Sequence, residues 1–334
     1  MPRSYQTTIF ARPAFMKGMT YAGFNKDVFL SEASNTSIDR LAETGTEWVA
    51  LAVGWWQQGK YANIILAHPE KTPSDESLRH IIRYIHKKGM KVMLKPFVDA
   101  YDHTWRGEFK PDSKKKWFKF YEAFITHYAL IAEEESVELF SVGCENTLGR
   151  RRTQKRWVKV IDKVKEVYKG KLTYSANFNG DIGYDKVLFW EHVDYIGVDA
   201  YFAVADQPKS SVDSMMEGWR KQIDQLVTWR AAHHPDIPIL FTELGVCSYL
   251  GAATRPWAYE ETPYEDWQEQ ANYYQAFFEA FADEEWLHGV FWWWWDNPST
   301  GDFMEGGSQY AHFYTPKGKP AEQVLTNWYK GEIG

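Results

Sequence analysis

The chain has 334 residues, of which 25% are charged and 44% are hydrophobic, and its net charge at pH 7 is -7. This balance is typical of a globular protein with a sizeable core and excludes a disordered chain. The negative net charge argues against a nucleic-acid partner.

Neither a signal peptide nor a membrane span is evident in the sequence. The amino terminus lacks the apolar run and charge asymmetry of a leader, and no apolar stretch reaches the roughly 18 residues that a bilayer requires. We therefore expect no membrane partner and a cytoplasmic location, or a secreted protein if a leader was removed.

The anomalous feature of the composition is its 17 tryptophans. Sugar rings present flat C–H faces that pack on indole, so this excess favours a carbohydrate ligand. The two cysteines, Cys144 and Cys247, have no disulfide or zinc spacing, and we expect both to be reduced. No HExxH pair, phosphate loop or dinucleotide motif is present, so we expect neither metal nor cofactor.

Apolar runs bounded by Gly or Pro alternate with segments of helical periodicity along the whole chain. Strands are predicted at Gly18–Phe24, Trp48–Trp56, Lys91–Val98, Leu139–Glu145, Leu172–Phe178, Tyr195–Phe202, Pro238–Gly245 and Gly289–Trp295. Helices are predicted at Ser37–Glu43, Ser74–Lys88, Ser113–Glu134, Thr153–Tyr168, Val212–Ala232, Tyr264–Asp283 and Pro320–Lys330, with Ser37 as the first N-cap. Together with a short connection that contains Trp190, between the fifth and sixth strands, these helices make eight segments. Their alternation with eight strands, without a linker, predicts an α/β fold: a single (β/α)8 TIM barrel, one domain over residues 1–334.

Two of the predicted strands end in a glutamate, Glu145 on the fourth and Glu243 on the seventh. The carboxyl ends of barrel strands meet on one face, so these side chains can converge there. Pairing with a nearby Lys or Arg would explain one such glutamate, but two on matching strands favour an active site. Glycoside hydrolases use a pair of carboxyl groups of this kind for catalysis.

Other candidates for substrate binding also lie near strand ends. Trp56 ends the second strand, and Lys95 and Asp99 share one face of the third because side chains alternate with period two. The same alternation along Trp292–Trp295 favours Trp293 and Trp295 as sugar platforms, although packing explains each of them equally well.

Five motifs together resemble glycoside hydrolase family 113, within a clan of retaining barrel hydrolases, from Gly18 to about Asp296. The motifs are Leu94-Lys95-Pro96, Gly143-Cys144-Glu145, Gly197-Val198-Asp199-Ala200-Tyr201, Thr242-Glu243-Leu244-Gly245 followed by Gly251-Ala252-Ala253 and Pro256-Trp257, and the tryptophan run. The resemblance implies an endo-acting β-1,4-mannanase with mannan or manno-oligosaccharide as its partner. It also implies that Glu145 is the acid/base and Glu243 the nucleophile.

The resemblance extends to residues around the two acids. It implies that Tyr201 hydrogen-bonds the nucleophile and that Trp293 lies at the cleavage subsite. Many members of the clan have Asn immediately before the acid/base, where it contacts the 2-hydroxyl, whereas this chain has Cys144. Asn146 and Asn177 are the candidates for that contact, although an Asn beside a strand end is more often a turn or cap residue.

Several alternatives remain open at this stage. Another β-glycan hydrolase of the clan, such as a glucanase or an exo-acting β-mannosidase, would carry the same acids. A catalytically silent carbohydrate-binding barrel would keep the aromatic platforms but lose an acid. A structural or interaction protein could have the same barrel, but that function would not explain the two strand-end acids. We expect a monomeric enzyme that uses a double displacement, with its two carboxyl groups about 5 to 5.5 Å apart.

Overall fold

Eight parallel strands close into a barrel in which each strand pairs with its sequence neighbours and β1 pairs with β8. The computed structural model describes residues 4–146, 148, 153–259, 264–299 and 314–333. The strands are β1 (Met16–Ala22), β2 (Trp48–Gln57), β3 (Lys91–Ala100), β4 (Leu139–Cys144), β5 (Lys171–Asn177), β6 (Tyr195–Asp199), β7 (Ile239–Leu244) and β8 (Leu287–Trp292). The predicted TIM barrel is therefore confirmed.

Seven α-helices lie among these described residues. They are α1 (Glu32–Ala42), α2 (Asp75–Lys87), α3 (Lys114–Glu134), α4 (Gln154–Val167), α5 (Val212–His233), α6 (Trp267–Phe281) and α7 (Pro320–Lys330). Side chains of Ser31, Ser74, Ser113, Ser211 and Asp266 accept a backbone N–H in the first turn of five of them. Such caps satisfy donors that have no partner within the helix. None of the described helices is long and apolar enough to cross a membrane.

The structure corrects the predicted start of the first helix. The first helix begins at Glu32 rather than near Ser37, because Ser31 caps it and Glu32 places a negative charge at its positive end. Ser37 lies inside the helix, where its hydroxyl donates to the carbonyl of Asp296. The short connection predicted between β5 and β6 consists of three 3-10 turns, the last of which begins at Trp190.

The core has two layers. Six buried side chains, one each from β1, β2, β3, β4, β7 and β8, fill the lower part of the barrel interior: Met16, Ala50, Met93, Leu139, Leu240 and Phe291. A larger, strongly aromatic layer packs between the barrel and the helices. Trp292, for example, points outward from β8 and stacks on Tyr274 of α6 with ring centroids 3.7 Å apart. Because the barrel interior is filled at this end, a ligand can enter the described barrel from the carboxyl ends of the strands.

Candidate active site

A cavity of about 710 Å³ opens at the carboxyl ends of the strands. Both strand-end acids, Glu145 and Glu243, line it, together with Lys95 and Asp99 from β3 and Tyr201, which follows β6. The space is large enough for a small sugar chain, and its polar groups concentrate around the two acids.

Irregular backbone aims both acids into this cavity. In β7, Leu240 fills the barrel interior and period-two alternation turns Thr242 the same way, which would put Glu243 on the opposite face. The strand pairing shifts register between Phe241 and Leu244, and such an irregularity re-aims a side chain. Thr242 and Glu243 consequently reach the same group of polar atoms.

The end of β4 has a comparable irregularity. Its register shifts between Ser141 and Cys144, and Glu145 adopts a left-handed backbone conformation with φ of 49°. Residues other than glycine are uncommon in that region and are concentrated at functional sites. As a result, the neighbouring residues Cys144 and Glu145 both line the cavity.

Each carboxyl oxygen of Glu243 has its own donor. The ammonium of Lys95 donates to Oε1, and the hydroxyl of Tyr201 donates to Oε2 at 2.7 Å. Burial and the charge of Glu243 raise the pKa of Tyr201 well above its usual value, so this hydroxyl keeps its proton. An ammonium and a phenol together hold the carboxylate in a fixed orientation.

Glu145 has different neighbours. Asn177 donates from Nδ2 to Oε1 at 2.8 Å, while Oε2 lies 3.3 Å from Nε1 of Trp105 and 3.4 Å from Nη1 of Arg106. Arg106 is held in turn by Asp99, whose Oδ1 accepts from Nη2 at 2.9 Å. Glu145 is thus oriented mainly by loop side chains, in contrast to the buried lysine that holds Glu243.

A fully buried carboxyl group lies beneath both acids. Asp199 Oδ1 accepts from Lys95 Nζ at 2.9 Å and from Thr242 Oγ1 at 2.8 Å, and Oδ2 lies 3.7 Å from Cys144 Sγ. Burial and the nearby charge of Glu243 raise the pKa of Asp199 to about 8. Burial alone would lower the pKa of Lys95, but the charges of Asp199 and Glu243 outweigh it and raise the net value, so Lys95 stays charged.

One group of side chains in the described part of the chain has the composition of a metal site. Ligand atoms of Cys144, Glu145 and Asp199 lie within 4.8 Å of one another. However, burial raises the pKa of the Cys144 thiol well above its usual value, and Lys95 and Arg106 already pair with the two carboxyl groups. A metal ion would have to displace the buried ammonium of Lys95 and the half-buried guanidinium of Arg106, so the donor set fits a metal poorly.

Aromatic side chains form much of the rest of the cavity wall. Trp105 and Trp257 are 45% and 46% exposed, and Trp257 packs on Phe178 with ring centroids 5.5 Å apart. Trp293 and Trp294 also line the cavity, and Trp294 stacks on Phe24. Indole faces open to the cavity are suited to binding sugar rings.

The segment that carries Trp257 is anchored on both sides. The carbonyl of Pro256 accepts from the hydroxyl of Tyr314 at 2.7 Å, and that of Ala258 accepts from the hydroxyl of Tyr249 at 2.6 Å. Tyr314 also makes an edge contact with Tyr201, with ring centroids 6.3 Å apart. Contacts through Tyr314 and Tyr201 therefore connect the segment that carries Trp257 to Glu243.

Most of the predicted site residues thus come together in one cavity. Lys95, Asp99, Cys144, Glu145, Asn177, Tyr201, Glu243, Trp257 and Trp293 all line it. Of the two asparagines considered, Asn177 contacts Glu145, whereas Asn146 is buried beside the barrel and its backbone N–H donates to Tyr174. The two cysteines are free thiols.

Trp56, Asn146 and Trp295 lie outside the cavity lining. Trp56 is buried at the end of β2, with its backbone paired to Leu66 and its ring against His68. Trp295 is 0% exposed, and its indole N–H donates to the carbonyl of Ser37. The alternation that grouped Trp293 with Trp295 fails because β8 ends at Trp292.

Sequence reasoning missed Trp105 and Arg106 as neighbours of Glu145 and Asp199 as a neighbour of Glu243. Trp105 and Arg106 lie in the loop after β3, so their position on the mouth side of the barrel was the available signal. Alternation along the predicted sixth strand, Tyr195–Phe202, put Asp199 on the same face as Tyr201, and that signal also placed it near the site.

A TIM barrel with two differently supported glutamates at its mouth, beside exposed indole rings, defines a glycoside hydrolase. The chain matches the profile of Glycoside Hydrolase Family 113 over residues 19–319 and belongs to that family. Comparison with curated proteins found no match.

Solved structures of high similarity carry the same family name. One, described as a complex structure of GH113 beta-1,4-mannanase, is 28% identical with a TM-score of 0.82, covering 95% of this chain and 99% of that one. The GH113 beta-mannanase AaManA from Alicyclobacillus acidocaldarius, in complex with ManMIm, is 30% identical with a TM-score of 0.81, covering 96% and 98%. A beta-glucuronidase from Ruminococcus gnavus is 14% identical with a TM-score of 0.63, and the match covers 98% of this chain and 52% of that one. This likeness shows a shared fold alone.

Proposed function

We propose that this protein is a retaining endo-β-1,4-mannanase acting on mannan, glucomannan or manno-oligosaccharides. The observation that carries the proposal is the unequal support of two glutamates in one cavity of a family 113 chain. Glu243 is held by a buried ammonium and a phenol, as suits a nucleophile. Glu145 is held by uncharged donors, Asn177 at the end of β5 and Trp105 in the loop after β3, together with a more distant Arg106, as suits an acid/base. The similarity to β-mannanase structures supports mannose as the sugar.

The reaction has two steps. An oxygen of Glu243 attacks the anomeric carbon while Glu145 gives its proton to the departing glycosidic oxygen, and the C–O bond breaks to leave a glycosyl ester on Glu243. Glu145, now a carboxylate, then removes a proton from water, whose oxygen attacks the anomeric carbon and releases Glu243. The two inversions together retain the β configuration.

Endo action is supported by the distribution of the exposed tryptophans. Trp105 follows β3 and contacts the acid/base, which faces the leaving group, while Trp257 follows β7. Platforms on loops after two separate strands favour a chain that continues beyond the cleaved bond over a single terminal sugar.

Release of reducing sugar from mannan, glucomannan, cellulose and xylan, measured side by side, tests the substrate class. We expect the mannan substrates to be cleaved with an early fall in viscosity, and Glu243→Ala to abolish the signal. A preference for cellulose or xylan would assign another glycan, and mannose as the first product would indicate exo action. NMR of the first product anomer tests retention, because an initial α-anomer excludes the double displacement.

A further inference from the structure

The number of charges around Lys95 changes during the proposed reaction. The ammonium contacts Oδ1 of Asp199 and Oε1 of Glu243, and the side chains of Lys95 and Asp199 are 1% and 0% exposed. One buried cation therefore serves two carboxyl groups, only one of which reacts with the sugar.

Glycosylation removes one of these two partners. When an oxygen of Glu243 bonds to the anomeric carbon, the carboxylate becomes a neutral ester, and the proton of Glu145 leaves with the alcohol. Lys95 remains charged and buried, and a buried charge that loses its partner is strongly destabilised. The ester would be disfavoured unless another anion paired with Lys95.

We propose that Asp199 is a positioning residue that takes over the pairing with Lys95 while Glu243 is esterified, an inference that rests on the proposed function. Oδ1 of Asp199 already accepts from both Lys95 and Thr242, so the pair needs no movement to form. In the second step Lys95 is then in place to receive the returning carboxylate of Glu243.

The protonation of Asp199 follows the same cycle. The charged and titratable groups around it are Lys95 from β3, Cys144 and Glu145 at the end of β4, Tyr201 after β6 and Glu243 from β7. Burial and the charge of Glu243 raise the pKa of Asp199 in the free enzyme, and its Oδ2 accepts from the thiol of Cys144. Esterification removes the charge of Glu243 while Glu145 becomes a carboxylate. Because the charge of Glu243 has the larger effect on Asp199, the pKa of Asp199 falls, which favours the carboxylate that pairs with Lys95.

A 2-deoxy-2-fluoro-β-manno-oligosyl fluoride separates the two steps, since its ester with Glu243 forms and hydrolyses slowly enough to measure each rate. In Asp199→Asn the amide cannot become an anion, so we expect ester formation to slow by about 10- to 100-fold, with hydrolysis of the ester unchanged or faster. Thr242→Val is the matched control. It removes the other hydrogen bond to Oδ1 but leaves the charge, and should slow formation by no more than about threefold.

The labelled residue distinguishes failure of this inference from failure of the proposed function. Mass spectrometry should find wild-type label on Glu243, and its absence would reject the function itself. If the wild type is labelled but Asp199→Asn slows both steps equally, or Thr242→Val matches it, Asp199 has only a structural role. A second test makes Asp199→Asn in a protein that already carries Lys95→Gln. Without the ammonium, Asp199→Asn should no longer slow ester formation more than ester hydrolysis. If it still slows ester formation selectively, the proposal is overturned.

Discussion

Glu269 is the residue that ties the outer loops of the cavity to helix α6, and its replacement gives a sharp test of the structure. The side chain is 1% exposed. Its carboxylate accepts the backbone N–H groups of Lys209 at 3.0 Å, Gly251 at 2.9 Å and Ala253 at 3.1 Å. Gly251 and Ala253 begin the segment that leads to Trp257, so one carboxylate anchors loops after both β6 and β7.

Glu269→Gln keeps the size of the side chain but replaces one acceptor oxygen by an NH2 donor. At least one backbone N–H then loses its acceptor, which costs about 1–3 kcal/mol for a buried group, and the remaining bonds weaken because they lose the charge. We expect unfolding free energy to fall by about 2–4 kcal/mol in total. At an unfolding entropy of about 2.1 cal/mol/K per residue, this lowers Tm by about 3–6 °C.

Differential scanning calorimetry measures this change. The control is the neighbouring Gln268→Ala, since Gln268 is exposed and bonds only to Asn272 within the helix among its described contacts. That variant should melt within about 1 °C of the wild type. Because the loops carry Trp257, Glu269→Gln should also raise KM for manno-oligosaccharides more than it lowers kcat. A melting temperature unchanged by Glu269→Gln would show that the three hydrogen bonds do not hold the loops.

Four further substitutions test the roles assigned to the site. With an activated aryl mannoside, Glu145→Ala should accumulate glycosyl enzyme, and added azide should give the β-mannosyl azide, identified by NMR. Glu243→Ala with azide should give the α product, and the opposite pairing of products would exchange the two roles. Tyr201→Phe removes a hydrogen bond to a charged acceptor and should lower kcat/KM about 10- to 100-fold without loss of fold by circular dichroism; near-normal turnover would contradict it. Trp257→Ala should raise KM for long oligosaccharides while sparing a small aryl mannoside, and equal losses on both would argue against a sugar platform.

The sequence predicted the barrel and its acids because both depend on local patterns. Buried parallel strands appear as short apolar runs between turn residues, and this pattern located all eight strands to within a few residues. The ends of those runs also located Glu145 and Glu243, since barrel topology brings strand ends together without requiring any knowledge of side-chain contacts.

The tryptophans show where local patterns fail. Trp117, Trp157, Trp190, Trp219, Trp292 and Trp295 are fully buried between the barrel and its helices, so much of the excess that favoured a carbohydrate ligand serves packing. Composition cannot distinguish an indole in the core from one on a cavity wall. Trp56 and Trp295 were predicted at the site because each ends a predicted strand, but burial depends on which helix or loop covers the strand end.

The details of the site could not be read from alternation because the chemistry requires departures from it. Thr242 and Glu243 are adjacent, as are Cys144 and Glu145, and a regular strand would send one of each pair outward. The irregular ends of β4 and β7 turn both members inward, which places a hydrogen-bonding residue beside each acid and lets Asp199 and Lys95 lie beneath them. A strictly regular barrel would retain the two glutamates in its sequence and still lose the buried charge group that makes the surroundings of Glu243 differ from those of Glu145.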